Sequence, residues 1–145
     1  MSRVFSFIAV IWAVTVQPVF AQEFSGLARV DVENSHIKDG DDGGAEIVLG
    51  LSQGVPYRLF TLSDPERLVL DFQEVDWRGL SAGTLLQGQQ VEQAKFGTYV
   101  PGWSRMVLQL TGPMAIESAA LDIDAVTAQA QLQVTLTPTN SETFL

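Results

Sequence analysis

A six-residue pattern that recurs along the chain limits its folding more than any other feature. Arg67-Leu68-Val69-Leu70-Asp71-Phe72 is followed later by Arg105-Met106-Val107-Leu108-Gln109-Leu110, which keeps the leading Arg, the central Val and Leu, and the terminal apolar residue. Glu46-Ile47-Val48-Leu49-Gly50-Leu51 keeps the apolar pattern without the Arg. Each copy is rich in β-branched and large apolar side chains and is bounded by Gly, Pro, Ser or Asp, the signature of strands rather than helices. Successive side chains of a strand point to opposite faces. Leu68, Leu70 and Phe72 therefore share one face, and Arg67, Val69 and Asp71 the other. The same alternation sets Met106, Leu108 and Leu110 against Arg105, Val107 and Gln109. Related core strands of this kind imply an all-β sandwich of similar halves.

Residues 1–21 read as a signal peptide. Arg3 supplies the positive start, Val4 to Val16 is an apolar run, and Val19 and Ala21 stand where a signal peptidase reads small residues, so cleavage is expected between Ala21 and Gln22. The run falls short of the ~20 residues that cross a bilayer. The chain has no Cys, so it is not a lipoprotein, and an exported domain without disulfides must rest on its core. Loss of Arg3 makes the exported chain one unit more negative than the −9 of the whole sequence. That balance argues against nucleic acid or an anionic membrane surface as partner, since both need clustered Lys and Arg.

From Phe24 the strands follow one another. Leu27 to Val32 is expected as the first. Lys38 to Gly44 has Asp39, Asp41 and Gly44 at positions reminiscent of a calcium loop, but Gly50 stands where the bidentate Glu is required. A Gly/Asp-rich hairpin turn is the better reading. Tyr57 to Leu62 makes a strand after Pro56, and Ser63-Asp64-Pro65-Glu66 makes the turn into the first Arg-led copy. Glu74 to Trp77 reads as that strand continuing past a bulge. Arg78 to Gln90 holds Gly79, Gly83 and Gly88 and reads as an irregular crossover between halves. Val91–Tyr99, Trp103–Leu110, Met114–Ile123 and Gln131–Leu136 complete the strands of one domain, 22–138. Residues 139–145 read as the start of a linker or tail, with the chain expected to continue beyond Leu145.

No catalytic constellation is visible. A zinc hydrolase needs at least three protein ligands and an open position, and His36 is the one His. A Ser-His-Asp triad is formally possible, but no G-x-S-x-G elbow is read that would present the serine. Nothing in the spacing of the 17 acidic residues singles out a glycosidase pair. What remains is a set of basic and aromatic residues near strand ends: Arg58, Arg67, Lys95, Tyr99, Trp103 and Arg105, with Tyr57 nearby. Aromatic faces stack on sugar rings and Arg forks pair carboxylates, so these are the candidate ligand-binding residues.

The run Ser63 to Phe72 resembles the AMIN domain. Lys95-Phe96-Gly97 followed by Ser104 to Leu110 is similar to that family's second signature, a basic-x-Gly step and then Arg-apolar-Val-apolar-Asp-apolar. The likeness runs from about Phe24 to Pro138. Arg67 and Arg105 match the motif, while Lys95 stands where the family favours Arg and Gln109 where it favours Asp. The resemblance implies a β-sandwich of two similar antiparallel sheets in the Gram-negative envelope. It implies a periplasmic, non-catalytic module that binds peptidoglycan, with envelope division proteins as further partners. Such modules sit at the N-terminus of N-acetylmuramoyl-L-alanine amidases, so zinc is expected only in a downstream catalytic domain and no cofactor in this chain. They also precede secretin domains in pilus machinery, and a protein-interaction module of that kind is the alternative.

Overall fold

The computed structural model describes residues 27–140. The signal peptide and its cleavage site, and most of the expected C-terminal tail, lie outside them. The elements in order are β1 (Ala28–Asp39), β2 (Ala45–Leu51), β3 (Tyr57–Leu62), β4 (Arg67–Gln73), β5 (Val75–Asp76), α1 (Ala82–Leu85), β6 (Val91–Val100), β7 (Trp103–Leu110), β8 (Met114–Ile123) and β9 (Ala130–Pro138).

The strands form two sheets, one of five strands ordered β5-β1-β2-β9-β8 and one of four ordered β3-β4-β7-β6. All pairings are antiparallel except the short β1–β5 pair. The period-two alternation decides which side chains meet between the sheets. Leu68, Leu70, Phe72, Met106, Leu108 and Leu110 of one sheet join Ile47, Leu49, Leu51, Leu132, Val134 and Leu136 of the other in a single core. Each is nearly or wholly withdrawn from water, and burying a side chain of this size contributes about 1.5–3 kcal/mol. This is the all-β sandwich the repeat implies.

The two Arg-led copies are β4 and β7, hydrogen-bonded neighbours in the four-stranded sheet, while the copy without Arg is β2 in the other. Their register sets Arg67 opposite Gln109, Val69 opposite Val107 and Asp71 opposite Arg105. The two copies are thus related by a local two-fold centred on the valine pair.

Three segments depart from the sequence reading. β1 runs on to Asp39 because a bulge between Asp31 and His36 absorbs the polar Glu33-Asn34-Ser35. Ser35 turns inward there, donating from Oγ to the Asp31 carbonyl at 2.6 Å and accepting from the Gly50 amide at 3.0 Å. Glu74 to Trp77 does not extend β4. The Ser104 hydroxyl takes both backbone groups of Val75, accepting from its N–H at 3.1 Å and donating to its carbonyl at 3.2 Å. The chain therefore leaves the sheet and pairs with β1 in the other. Within the crossover, Ser81 caps the single helical turn α1 by accepting from the Thr84 amide. Asp39 then tethers the return by accepting from the amides of Gln89 and Gln90. The Gly/Asp segment is a hairpin turn as expected, with the Asp42 carboxylate accepting from the Gly44 amide at 3.0 Å.

Candidate functional site

The six candidate residues, scattered from 58 to 105, all project from one surface, the outer face of the four-stranded sheet. Register gives this directly. Arg58, Asp71, Arg105 and Gly97 form one row across β3, β4, β7 and β6. Phe60, Val69, Val107 and Lys95 form the next row, and Leu62, Arg67, Gln109 and Gln93 the one beyond. Trp103 and Tyr99 stand on the other side of the Asp71 row. Rows lie ~7 Å apart along the strands.

Asp71 is the centre of this surface, and the sequence reading does not single it out. Its side chain is 0% exposed although it points away from the core. Oδ1 accepts from Arg105 Nε at 2.7 Å, and Oδ2 accepts from Arg105 Nη2 at 3.0 Å and from Arg58 Nε at 2.9 Å. One carboxylate thus holds two guanidiniums, one of them through a two-pronged fork, the strongest geometry such a pair offers. The Arg105 fork draws the Asp71 carboxyl below its ordinary pKa. Burial opposes this, and the Arg58 hydrogen bond adds to it. Asp71 in turn raises the pKa of Arg105, so this pair stays ionised at neutral pH, and with two guanidiniums against one carboxylate the cluster is formally one unit positive.

Aromatic rings complete the cluster. The Arg105 guanidinium lies over the Tyr99 ring at 3.5 Å from its centroid and near Phe60 at 5.6 Å, and Arg58 lies over Trp103 at 5.5 Å. Such contacts hold a cation in place without neutralising it. Val69 is buried here too, at 1% exposure, yet it is no part of the inter-sheet core. The outer face therefore has its own covered floor. Arg58, with 61% of its side chain exposed, is the accessible cation, whereas Arg105 at 23% is largely spent on Asp71 and Tyr99.

Four of the six candidates thus converge on Asp71: Arg58, Arg105, Tyr99 and Trp103. Lys95 and Arg67 share the face but stand outside the cluster. The local two-fold explains Arg67. Its cross-strand partner is Gln109 where Arg105 faces Asp71. With no carboxylate opposite, Arg67 donates to the carbonyls of Pro65 and Ser63, and Gln109 donates to Glu92 at 3.2 Å. The Asp-to-Gln departure thus leaves the second half-site without its ion pair. The signal for Asp71 was present in the sequence, as the acid at the fifth position of the first copy. Tyr57 lies on the opposite face, packed against Phe72 in the core.

Gly50-Leu51-Ser52-Gln53-Gly54 does carry the letters of a G-x-S-x-G nucleophile elbow, contrary to the sequence reading that none exists. It is not one, because the segment leads from β2 toward β3 with no helix following. Ser52 Oγ there accepts from the Arg29 amide at 2.8 Å, closing the end of the β1–β2 pair. Among the described residues no group of three or more His, Cys, Asp or Glu side chains could hold a metal ion. No helix among them is long and apolar enough to cross a membrane.

The family model of the AMIN domain matches residues 34–136, well over half of the 145. The chain belongs to the AMIN-domain family. AMIN domains are peptidoglycan-binding and targeting modules that occur in periplasmic proteins. The match begins within β1 and ends within β9, so it includes both Arg-led strands and the whole Asp71 cluster of this AMIN domain. No curated protein matches the chain significantly.

Proposed function

We propose that this AMIN domain binds peptidoglycan through the outer face of its four-stranded sheet. In this reading Arg58, Arg105, Tyr99 and Trp103 form the contact cluster, and Arg67 and Lys95 are flanking charges. The reading places the domain in the periplasm, at the N-terminus of an N-acetylmuramoyl-L-alanine amidase that acts in cell-wall turnover and cell separation. Zinc then belongs to the catalytic domain of that enzyme, and this module supplies location rather than chemistry.

The observation that carries the reading is the buried Asp71 carboxylate holding two guanidiniums beside two aromatic rings. Three charged groups left to solvent on a sheet would be separately hydrated and mobile. Here the cations are oriented before any ligand arrives, which lowers the entropy cost of binding. Peptidoglycan offers the matching groups, carboxylates on its stem peptides and pyranose rings along its glycan. Pelleting with purified sacculi tests the proposal. The chain should sediment with sacculi and be released as salt is raised, since exposed charge pairs are screened. Sedimentation no greater than that of an unrelated acidic domain of similar size would refute it.

One observation favours a second reading, a protein-interaction module of an envelope machine such as a pilus secretin. β8 is an outer strand of the five-stranded sheet, ten residues long, with Ile116 and Ile123 partly exposed. An open edge of this kind can accept a strand from another protein. Binding to an envelope protein without binding to sacculi would select this reading.

A further inference from the structure

The outer face of the four-stranded sheet runs past Gly97 and Trp103 into an open cleft of about 630 Å³ at the end of the sandwich. Trp77, Phe96 and Trp103 line it, together with the carboxylate-bearing Glu74 and Asp76. The aromatic wall is braced from behind. Trp77 meets Phe72 edge-on at 5.8 Å and Phe96 at 5.5 Å, so these rings continue directly into the core. Gly97 leaves the approach clear, since a Cβ at that position would meet nothing within 4 Å. The Trp77 indole N–H is enclosed and, alone among the described buried side-chain polar atoms, has no hydrogen-bond partner.

The charges of the lining decide which ligand it suits. Arg78 is its cation, and it is already paired with Asp76 through Nη2 at 2.6 Å and Nε at 2.9 Å. With Glu74 added, the cleft is net negative and would repel the carboxylates of a stem peptide. Rings for the C–H faces of a pyranose and carboxylates to accept from its hydroxyls suit a neutral, hydroxylated ligand instead. We infer that the cleft is a subsite for a sugar ring of the glycan strand, while the Arg58–Asp71–Arg105 row beside it takes an acidic group. Trp103 serves both, bearing Arg58 and lining the cleft. This inference rests on the peptidoglycan-binding reading and specifies which part of the polymer meets which part of the domain.

The test uses the exported chain, whose two tryptophans, Trp77 and Trp103, both line the cleft. Their emission is followed during titration with glycan strands stripped of peptide, with and without free stem peptide. The peptide-free glycan should shift the emission saturably, and Gly97→Val, which fills the approach, should weaken that binding at least tenfold. The glycan titration should keep its midpoint in the presence of saturating free stem peptide, which meets Arg58 rather than the cleft. If sacculi still sediment the chain while peptide-free glycan gives no shift, the cleft assignment is wrong and the peptidoglycan reading stands. If sacculi fail to sediment it, the reading itself falls. A midpoint that rises with added stem peptide would reassign the cleft to peptide and overturn the inference. The wild-type titrations decide these outcomes even if Gly97→Val does not fold.

Discussion

At the scale of single residues, Asp71 is structural and functional at once. A carboxylate with no solvent exposure persists as an ion only because Arg105 and Arg58 satisfy it, and removing one partner of such a group leaves a buried charge uncompensated. Arg105→Ala is therefore expected to harm the fold as well as any ligand contact, and it is a poor probe of binding despite its match to the family motif. Acid unfolding measures the Asp71 contribution. Its folded-state pKa lies below the unfolded value, so the stabilisation is present above about pH 4 and is lost as pH falls through the folded value. Asp71→Asn should cost roughly 1–3 kcal/mol near neutrality, with the gap to wild type closing on acidification. Denaturant melts at a series of pH values check this, and a gap unchanged from pH 7 to the acid limit of folding would contradict it.

At the scale of elements, the β4–β7 pair carries the design. The two Arg-led strands meet so that each Arg faces the fifth position of the other copy. Only one of those positions holds an acid. Gln109→Asp should draw Arg67 from the Pro65 and Ser63 carbonyls into a cross-strand pair, at some cost from nearby Glu92. A double-mutant cycle with Arg67→Ala should give a favourable coupling of about 0.2–1 kcal/mol, the usual range for an exposed pair. Zero coupling would show that the local two-fold does not extend to side-chain geometry. The strands and their faces were legible in the sequence because a two-residue period needs only the strand's own residues. The turn of β5 into the other sheet was not, because it depends on Ser104, far along the chain, taking both backbone groups of Val75. The true length of β1 was hidden for a similar reason, its bulge being closed by Ser35 against Gly50 of the neighbouring strand.

At the scale of the whole molecule, a chain with net charge −9 gathers Arg58, Arg67, Lys95 and Arg105, half of its eight basic residues, on one face of one sheet. The sequence named the members of that surface, since long polar and aromatic side chains on the outward positions of core strands must share a side. It could not show which of them converge, because that depends on the cross-strand register between β3, β4 and β7. Nor could it show the cleft, built where a strand leaves one sheet for the other.

The central claim is that this face, rather than positive charge in general, holds the domain on peptidoglycan. The most direct measurement is sacculus sedimentation of Arg58→Ala beside Lys38→Ala. Each removes one positive charge. Arg58 leaves the accessible edge of the cluster with the Asp71–Arg105 fork in place, and Lys38 leaves the β1–β2 pair of the other sheet. Arg58→Ala should weaken binding about tenfold, or ~1.4 kcal/mol, and Lys38→Ala should bind as the wild type does. Equal binding by all three, or an equal loss in both variants, would contradict the assignment of the face.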